Sequence, residues 1–181
     1  IRLNTKNVYS KGMFENICLA IKIALDLNIS KRVIQKTLPK LSFEGRFQYL
    51  NNGKIKNRLH KNETILIDGA HATADAKNLA NYLKNIKISK YGIWAMTKNK
   101  EPDLFIKQLK GLFKKIITIP IENECNSVSA NELYKIASKN KFNAEKCSGF
   151  GEALKKISSK EKKLIVCFGS LYNCGNILNK N

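Results

Sequence analysis

The chain has 181 residues, the length of one domain or of one domain with a piece of another. An apolar fraction of 43% fills a core, and no run approaches the roughly 18 uninterrupted apolar residues of a membrane-spanning helix. The formal net charge of +19 comes almost wholly from scattered lysines, with arginine only at positions 2, 32, 46 and 58; this reads as a solvated surface with a general attraction for anions, not as a nucleic-acid face.

Ile1-Arg2-Leu3-Asn4 shows no initiator Met and no apolar signal region, so the chain reads as a segment of a longer protein. Ile17, Ala20, Ile21, Ala24 and Leu25 recur at helical spacing, and Val33, Ile34 and Leu38 make a second short helical pattern before Pro39. The pair has an apolar face to bury, and Leu41 to Gly45 reads as a connector. Strands are then expected at 46–50, 63–67, 91–96, 115–119, 143–147 and 163–168. Helices are expected at 74–86, 102–113, 130–140, 150–158 and 171–178. Ser129 and Glu132 have capping-box spacing, and Pro102 occupies a favoured first helical position. The alternation predicts an α/β fold, a six-stranded and mostly parallel sheet with flanking helices. The continuous apolar runs Ile116–Ile119 and Leu164–Phe168 suit strands covered on both faces.

Cysteines at 18, 125, 147, 167 and 174 are odd in number and lack CxxC spacing, which points to reduced thiols and a cytoplasmic protein. His60 and His71 have no Cys or His neighbour at ligand spacing, so no residue is assigned to a metal.

Three strand-to-helix junctions carry the polar and small residues: Asp68-Gly69-Ala70-His71, Met96 to Glu101, and Gly169-Ser170. In a parallel sheet all three lie at the carboxyl edge, where open α/β sheets bind ligands. Asp68 reads either as a ribose acceptor or as the cap of its own turn. His71 reads as a carboxylate ligand or as an ordinary loop histidine, and Ser170 as a helix cap whose amide also suits an anion. Lys98 and Lys100 carry little information in so lysine-rich a chain. No GxxxxGK[ST] phosphate loop is present.

Together, Gly45-Arg46-Phe47-Gln48, Ile67-Asp68-Gly69-Ala70-His71, Lys100-Glu101 and Gly169-Ser170-Leu171-Tyr172 resemble the C-terminal domain of the bifunctional folylpolyglutamate synthase/dihydrofolate synthases of the Mur ligase superfamily. The resemblance implies a Rossmann-like domain over 45–181 and a linker at 42–44. Residues 1–41 would be a helical remnant of the central ATPase domain. It implies an ATP- and Mg2+-dependent ligase that joins L-glutamate to dihydropteroate or a folate through an acyl phosphate. Arg46 and Asp68 would serve the nucleotide, His71 and Ser170 the glutamate, and His71 and Lys100 the chemistry. The phosphate loop and magnesium ligands would lie in missing domains in cis. The segment would be inactive alone, in a monomeric protein without nucleic-acid or membrane partners.

The chain departs from the family pattern in three places. Ala72 follows His71 where asparagine is usual, Phe43-Glu44 replaces Trp-Pro before Gly45-Arg46, and Gly12-Met13 replaces a His-Gln pair ahead of Asn16. Residues 51–61 read as an insert. Two alternatives stand beside the leading reading: a Mur-type ligase acting on a peptidoglycan precursor, and a degenerate, non-catalytic scaffold or binding module.

Overall fold

In this computed structural model the described residues are Ile1 and 8–181; Arg2, Leu3 and Asn4 of the opening stretch fall outside them. The chain divides into two units, Ile1–Glu44 and Gly45–Asn181.

Serine caps start both helices of the first unit. Ser10 accepts a hydrogen bond from the Met13 amide at the head of α1 (Lys11–Asp26), and Ser30 accepts from Val33 at the head of α2 (Lys31–Thr37). Each satisfies an amide that a helix start leaves unpaired. Between them Asn28 takes a left-handed conformation, φ +60°, and a 3-10 turn with Pro39 follows α2. Ile17, Ile34 and Leu38 are buried and gather Ile21, Ala24, Leu25 and Phe43 around them. A cleft of about 310 Å³ lies between the two helices, lined by Ala20, Ile21, Val33 and Phe43 among others. Leu19, Ile23 and Leu27 remain more than half exposed, at 60%, 51% and 69%.

The second unit is a six-stranded sheet of order β1-β2-β6-β3-β4-β5. Its strands are β1 (Gln48–Tyr49), β2 (Glu63–Asp68), β3 (Ser89–Trp94), β4 (Lys115–Thr118), β5 (Ala144–Lys146) and β6 (Lys163–Phe168). Only β1 runs antiparallel. All six residues of β6 are buried: Lys163 and, as a strand at the centre of a sheet covered on both sides requires, the apolar run Leu164–Phe168. Six helices complete the unit: α3 (Gly53–Arg58), α4 (Thr73–Lys84), α5 (Pro102–Lys107), α6 (Ala130–Lys139), α7 (Phe150–Ile157) and α8 (Leu171–Leu178).

Side-chain alternation sorts the two faces. Ile65, Ile67, Ile93, Ile117 and Ile165 pack with Leu154 and Ile157 of α7 and Ile177 of α8. Trp94 and Phe168 point the other way and stack with Phe105 of α5 at centroid separations of 6.1 to 6.5 Å. Stacked aromatics of this kind add about 0.5–1.5 kcal/mol per pair beyond area burial.

Local backbone geometry corrects several sequence-derived boundaries. The strand expected at 46–50 shortens to Gln48–Tyr49 because Gly45 and Phe47 take φ +66° and +46°, which no strand accommodates. The third strand is Ser89–Trp94, two residues earlier at both ends than expected, so Ala95 and Met96 lie beyond its carboxyl end. The helix expected at 102–113 ends at Lys107, and the chain turns through Gly111 at φ +76°. Residues 51–61 hold α3, which no side-chain cap announces.

At the amino-terminal end of the β2–β6 pair lies a buried ion pair. Glu63 and Lys163 are 0% and 1% exposed and sit opposite each other in register. Lys163 Nζ donates to the Ile157 carbonyl and Ser159 Oγ and lies 4.7 Å from the Tyr91 ring centroid. Glu63 accepts from the His60 and Ser159 amides and the Ser158 hydroxyl. Burial opposes its charge, yet these donors and Lys163 hold its carboxyl below the ordinary range.

Candidate functional site at the strand ends

The chain steps from β2 through β3 and β4 to β5, then returns to insert β6 between β2 and β3. This reversal makes a crevice at the carboxyl ends of β2, β6 and β3, the position at which open α/β sheets take ligands. Gly169 allows the close approach. Its φ is +107°, and a Cβ there would stand 2.1 Å from the Ala95 carbonyl oxygen. On the other side, the Gly69 amide donates to the Gly45 carbonyl at 2.6 Å, tying the Gly45-Arg46-Phe47 turn to the end of β2.

Asp68 organises that turn. Only 2% exposed, it accepts from the Phe47 amide at 2.9 Å and from the Ala70 amide at 2.8 Å. The left-handed Phe47 is held by this bond and by edge-on contact of its ring with Tyr82 at 4.9 Å. Burial pushes the Asp68 carboxyl up to about 6, outweighing the two amides and Arg46, which favour its charged form. An isolated carboxylate this deep is costly to ionise, and the amides offset only part of the cost.

His71 Nδ1 lies 2.9 Å from the Gly69 carbonyl oxygen. A proton on Nδ1 satisfies that carbonyl and leaves Nε2 to meet a ligand. Asp75, one turn into α4, accepts from the His71 and Ala72 amides at 3.3 Å each. Its Oδ2 also lies 3.9 Å from His71 Nδ1 and 4.0 Å from Arg46 Nη1. Ala72 occupies the N-cap without a polar side chain, and Asp75 reaches back from within the helix to supply an acceptor.

A cleft of about 330 Å³ opens over these junctions, with His71, Lys100 and Ser170 lining it beside Thr97, Asn99 and Tyr172. Ser170 Oγ caps α8 by accepting from the Tyr172 amide at 3.1 Å. Lys100 has no carboxylate within ion-pair distance among the described residues, leaving its ammonium for a ligand. The far wall is the loop after β4. The Thr97–Ser127 bridge and the Lys98 amide's bond to the Asn126 carbonyl at 2.8 Å bring Glu124 and Asn126 to the rim.

Three of the five sequence-derived site residues thus line one cleft. Arg46 and Asp68 do not line it: Arg46 stands behind His71 across Asp75, and Asp68 is buried beneath the turn. Thr97 and Asn99 belong to the Met96-to-Glu101 junction expected at this edge, whereas Asp75, Glu124 and Asn126 escaped the sequence reading. Asp75 alone carried a local signal, an acid at the third position of a helix. Among the described residues no three His, Cys, Asp or Glu side chains converge as a metal site. No helix is long and apolar enough to cross a membrane among the described residues.

A doubly covered, mostly parallel sheet with a polar cleft at its switch point defines a Rossmann-like α/β domain. The chain belongs to the dihydrofolate synthetase C-terminal domain family, whose sequence model matches residues 51–180. Comparison with curated protein sequences found no match. Among solved structures, the chain is similar to the Mycobacterium tuberculosis folylpolyglutamate synthase complexed with ADP and AMPPCP. That similarity has a TM-score of 0.79 at 15% identity, over 95% of this chain and 40% of that one. A bifunctional folylpolyglutamate synthase/dihydrofolate synthase with Mn, AMPPNP and L-glutamate bound gives a TM-score of 0.75 at 19% identity, over 98% and 40%. The bifunctional enzyme of Yersinia pestis CO92 gives 0.63 at 20% identity, over 83% and 34%. The chain therefore spans about 40% of the length of the first of these relatives.

Proposed function

We propose that this chain is the carboxyl-terminal part of an ATP-dependent acid–amino acid ligase that adds L-glutamate to dihydropteroate or a folate. The observation that carries the reading is the convergence of His71, Lys100 and Ser170, from three sequence-distant junctions, on one cleft in a domain of this family. ATP, when bound by the whole enzyme, supplies the phosphoryl group that activates the acceptor carboxylate. This chain's residues act on the incoming amino acid. His71, its ring fixed by Nδ1–H donating to the Gly69 carbonyl, holds a glutamate carboxylate by donating from Nε2–H when both ring nitrogens carry a proton. Lys100 and the α8 amino terminus at Ser170 offset negative charge across the cleft.

Arg46 and Asp68 are the nucleotide-side residues, with Asp68 fixing the left-handed turn that carries Arg46. Arginine's planar fork suits a phosphate, and Asp75 at 4.0 Å orients it. Residues 1–41 are the closing helices of the central ATPase domain, and their open apolar cleft is covered by the rest of that domain in cis. The phosphate loop and magnesium ligands lie there too, so the 181-residue chain is inactive by itself. The enzyme works as a monomer in the cytoplasm, without nucleic-acid or membrane partners.

One observation favours a second reading, a degenerate binding module: Ala72 caps α4 without any side-chain acceptor. ADP release by the complete protein decides between them. The ligase releases ADP only when glutamate and dihydropteroate or tetrahydrofolate are both supplied with MgATP, and the isolated chain releases none. Release independent of glutamate, or none from the complete protein, contradicts the ligase.

A further inference from the structure

A second cleft, of about 540 Å³, lies between α3, α7 and the end of α8 and shares no residue with the strand-end cleft. Its floor is apolar, formed by Ile55, Phe150 and Leu154, each no more than 9% exposed. Arg58, His60, Lys155 and Lys180 stand around it, and no acidic side chain lines it.

In a chain with 33 Lys and Arg residues, a lysine beside a cleft is unremarked. Arg58, however, is one of only four arginines. Neither it nor Lys155 has a carboxylate within ion-pair distance among the described residues, whereas Lys180 is already paired with Glu122. Arg58 and Lys155 each occupy the last turn of a helix, where a cation complements the dipole. That accounts for their presence but not for the apolar floor between them. The volume falls within the roughly 300–1,000 Å³ of small-molecule sites, which combine an apolar lining with a few placed polar groups.

We propose that this cleft binds a small amphiphilic anion, its planar apolar body seated on Ile55, Phe150 and Leu154 and its phosphate or paired carboxylates held by Arg58 and Lys155. The site is independent of the strand-end chemistry.

Gly151 offers a control that leaves every charge in place. It lines the cleft at the start of α7, and a Cβ there meets nothing within 4 Å, so Gly151→Leu adds bulk at the cleft from a position with room for its Cβ. The experiment is amide chemical-shift mapping of the 181-residue chain titrated with naphthyl phosphate, naphthalene dicarboxylate, naphthol and inorganic phosphate. Saturable shifts at Ile55, Phe150 and Leu154 are expected with naphthyl phosphate or the dicarboxylate, and the tighter of the two names the anionic group. Arg58→Ser with Lys155→Ser should weaken binding at least about tenfold, the loss of charge-assisted hydrogen bonds. Gly151→Leu should abolish binding with the thermal transition retained. The proposal is overturned if inorganic phosphate binds as well as naphthyl phosphate, if the shifts scatter over surface lysines or gather at His71 and Ser170, or if the variants bind within about twofold of the parent.

Discussion

Asp75 accepts a hydrogen bond from the backbone amide of His71 at 3.3 Å and places the same carboxylate oxygen 3.9 Å from that residue's Nδ1. The acid therefore fixes the main chain of the histidine that faces the strand-end cleft, while the Gly69 carbonyl holds its ring. Asp75 does so where Ala72 leaves α4 without a polar cap.

Asp75→Ala should cost about 1 kcal/mol of stability, as loss of a helix-start acceptor does. In the complete enzyme it should raise the KM for glutamate in the same direction as His71→Ala, but by less. Urea unfolding and steady-state kinetics check the two parts, and an unchanged KM for glutamate contradicts the positioning role.

The Asp68 carboxyl, pushed from 3.8 up to about 6 by burial, makes stability depend on pH. The native state keeps this proton over an interval in which the unfolded chain has lost it. The linked stability is therefore full below the unfolded value and is lost as pH rises through about 6. It amounts to on the order of 2–3 kcal/mol. Asp68→Asn removes the titration, so parent stability minus variant stability should fall by about 2–3 kcal/mol from about pH 4 to about pH 7. A difference that stays flat across that window contradicts the assignment.

Glu63 and Lys163 are each other's only charge partner among the described residues, in a setting with almost no water. Glu63→Gln or Lys163→Met alone should cost about 3–5 kcal/mol, because each leaves an uncompensated buried group. The double variant should cost clearly less than the two singles together. Denaturant unfolding of the four proteins gives the coupling, and simple additivity shows that the pair does not act as a unit.

The sequence made the parallel sheet legible because its signals are local and repeated. The β6 run is apolar at every interior position, Pro102 opens α5, and Ser129 Oγ accepts from the Glu132 amide at 3.2 Å. Parallel topology then sufficed to bring His71, Lys100 and Ser170 to one edge. What stayed hidden depends on backbone angles or on distant contacts. Phe47 takes φ +46° against its residue type, which shortens β1 and turns Asp68 into the anchor of the Arg46 turn. Glu124 reaches the cleft only because Thr97 and Ser127 pair across 30 positions of sequence. Nor does α3 have a cap or enough length to show a period.

The central claim is that the strand-end cleft serves glutamate while Arg46, behind it, serves the nucleotide. Steady-state kinetics of His71→Ala and Arg46→Ala in the complete enzyme, with glutamate and ATP varied separately, tests it most directly. His71→Ala should raise the KM for glutamate roughly ten- to a hundredfold, the loss of one charge-assisted hydrogen bond, and leave that for ATP nearly unchanged. Arg46→Ala should do the reverse, weakening ATP and sparing glutamate. If both constants stay within about twofold of the parent in both variants, a change below the worth of one such bond, the cleft is not the glutamate site.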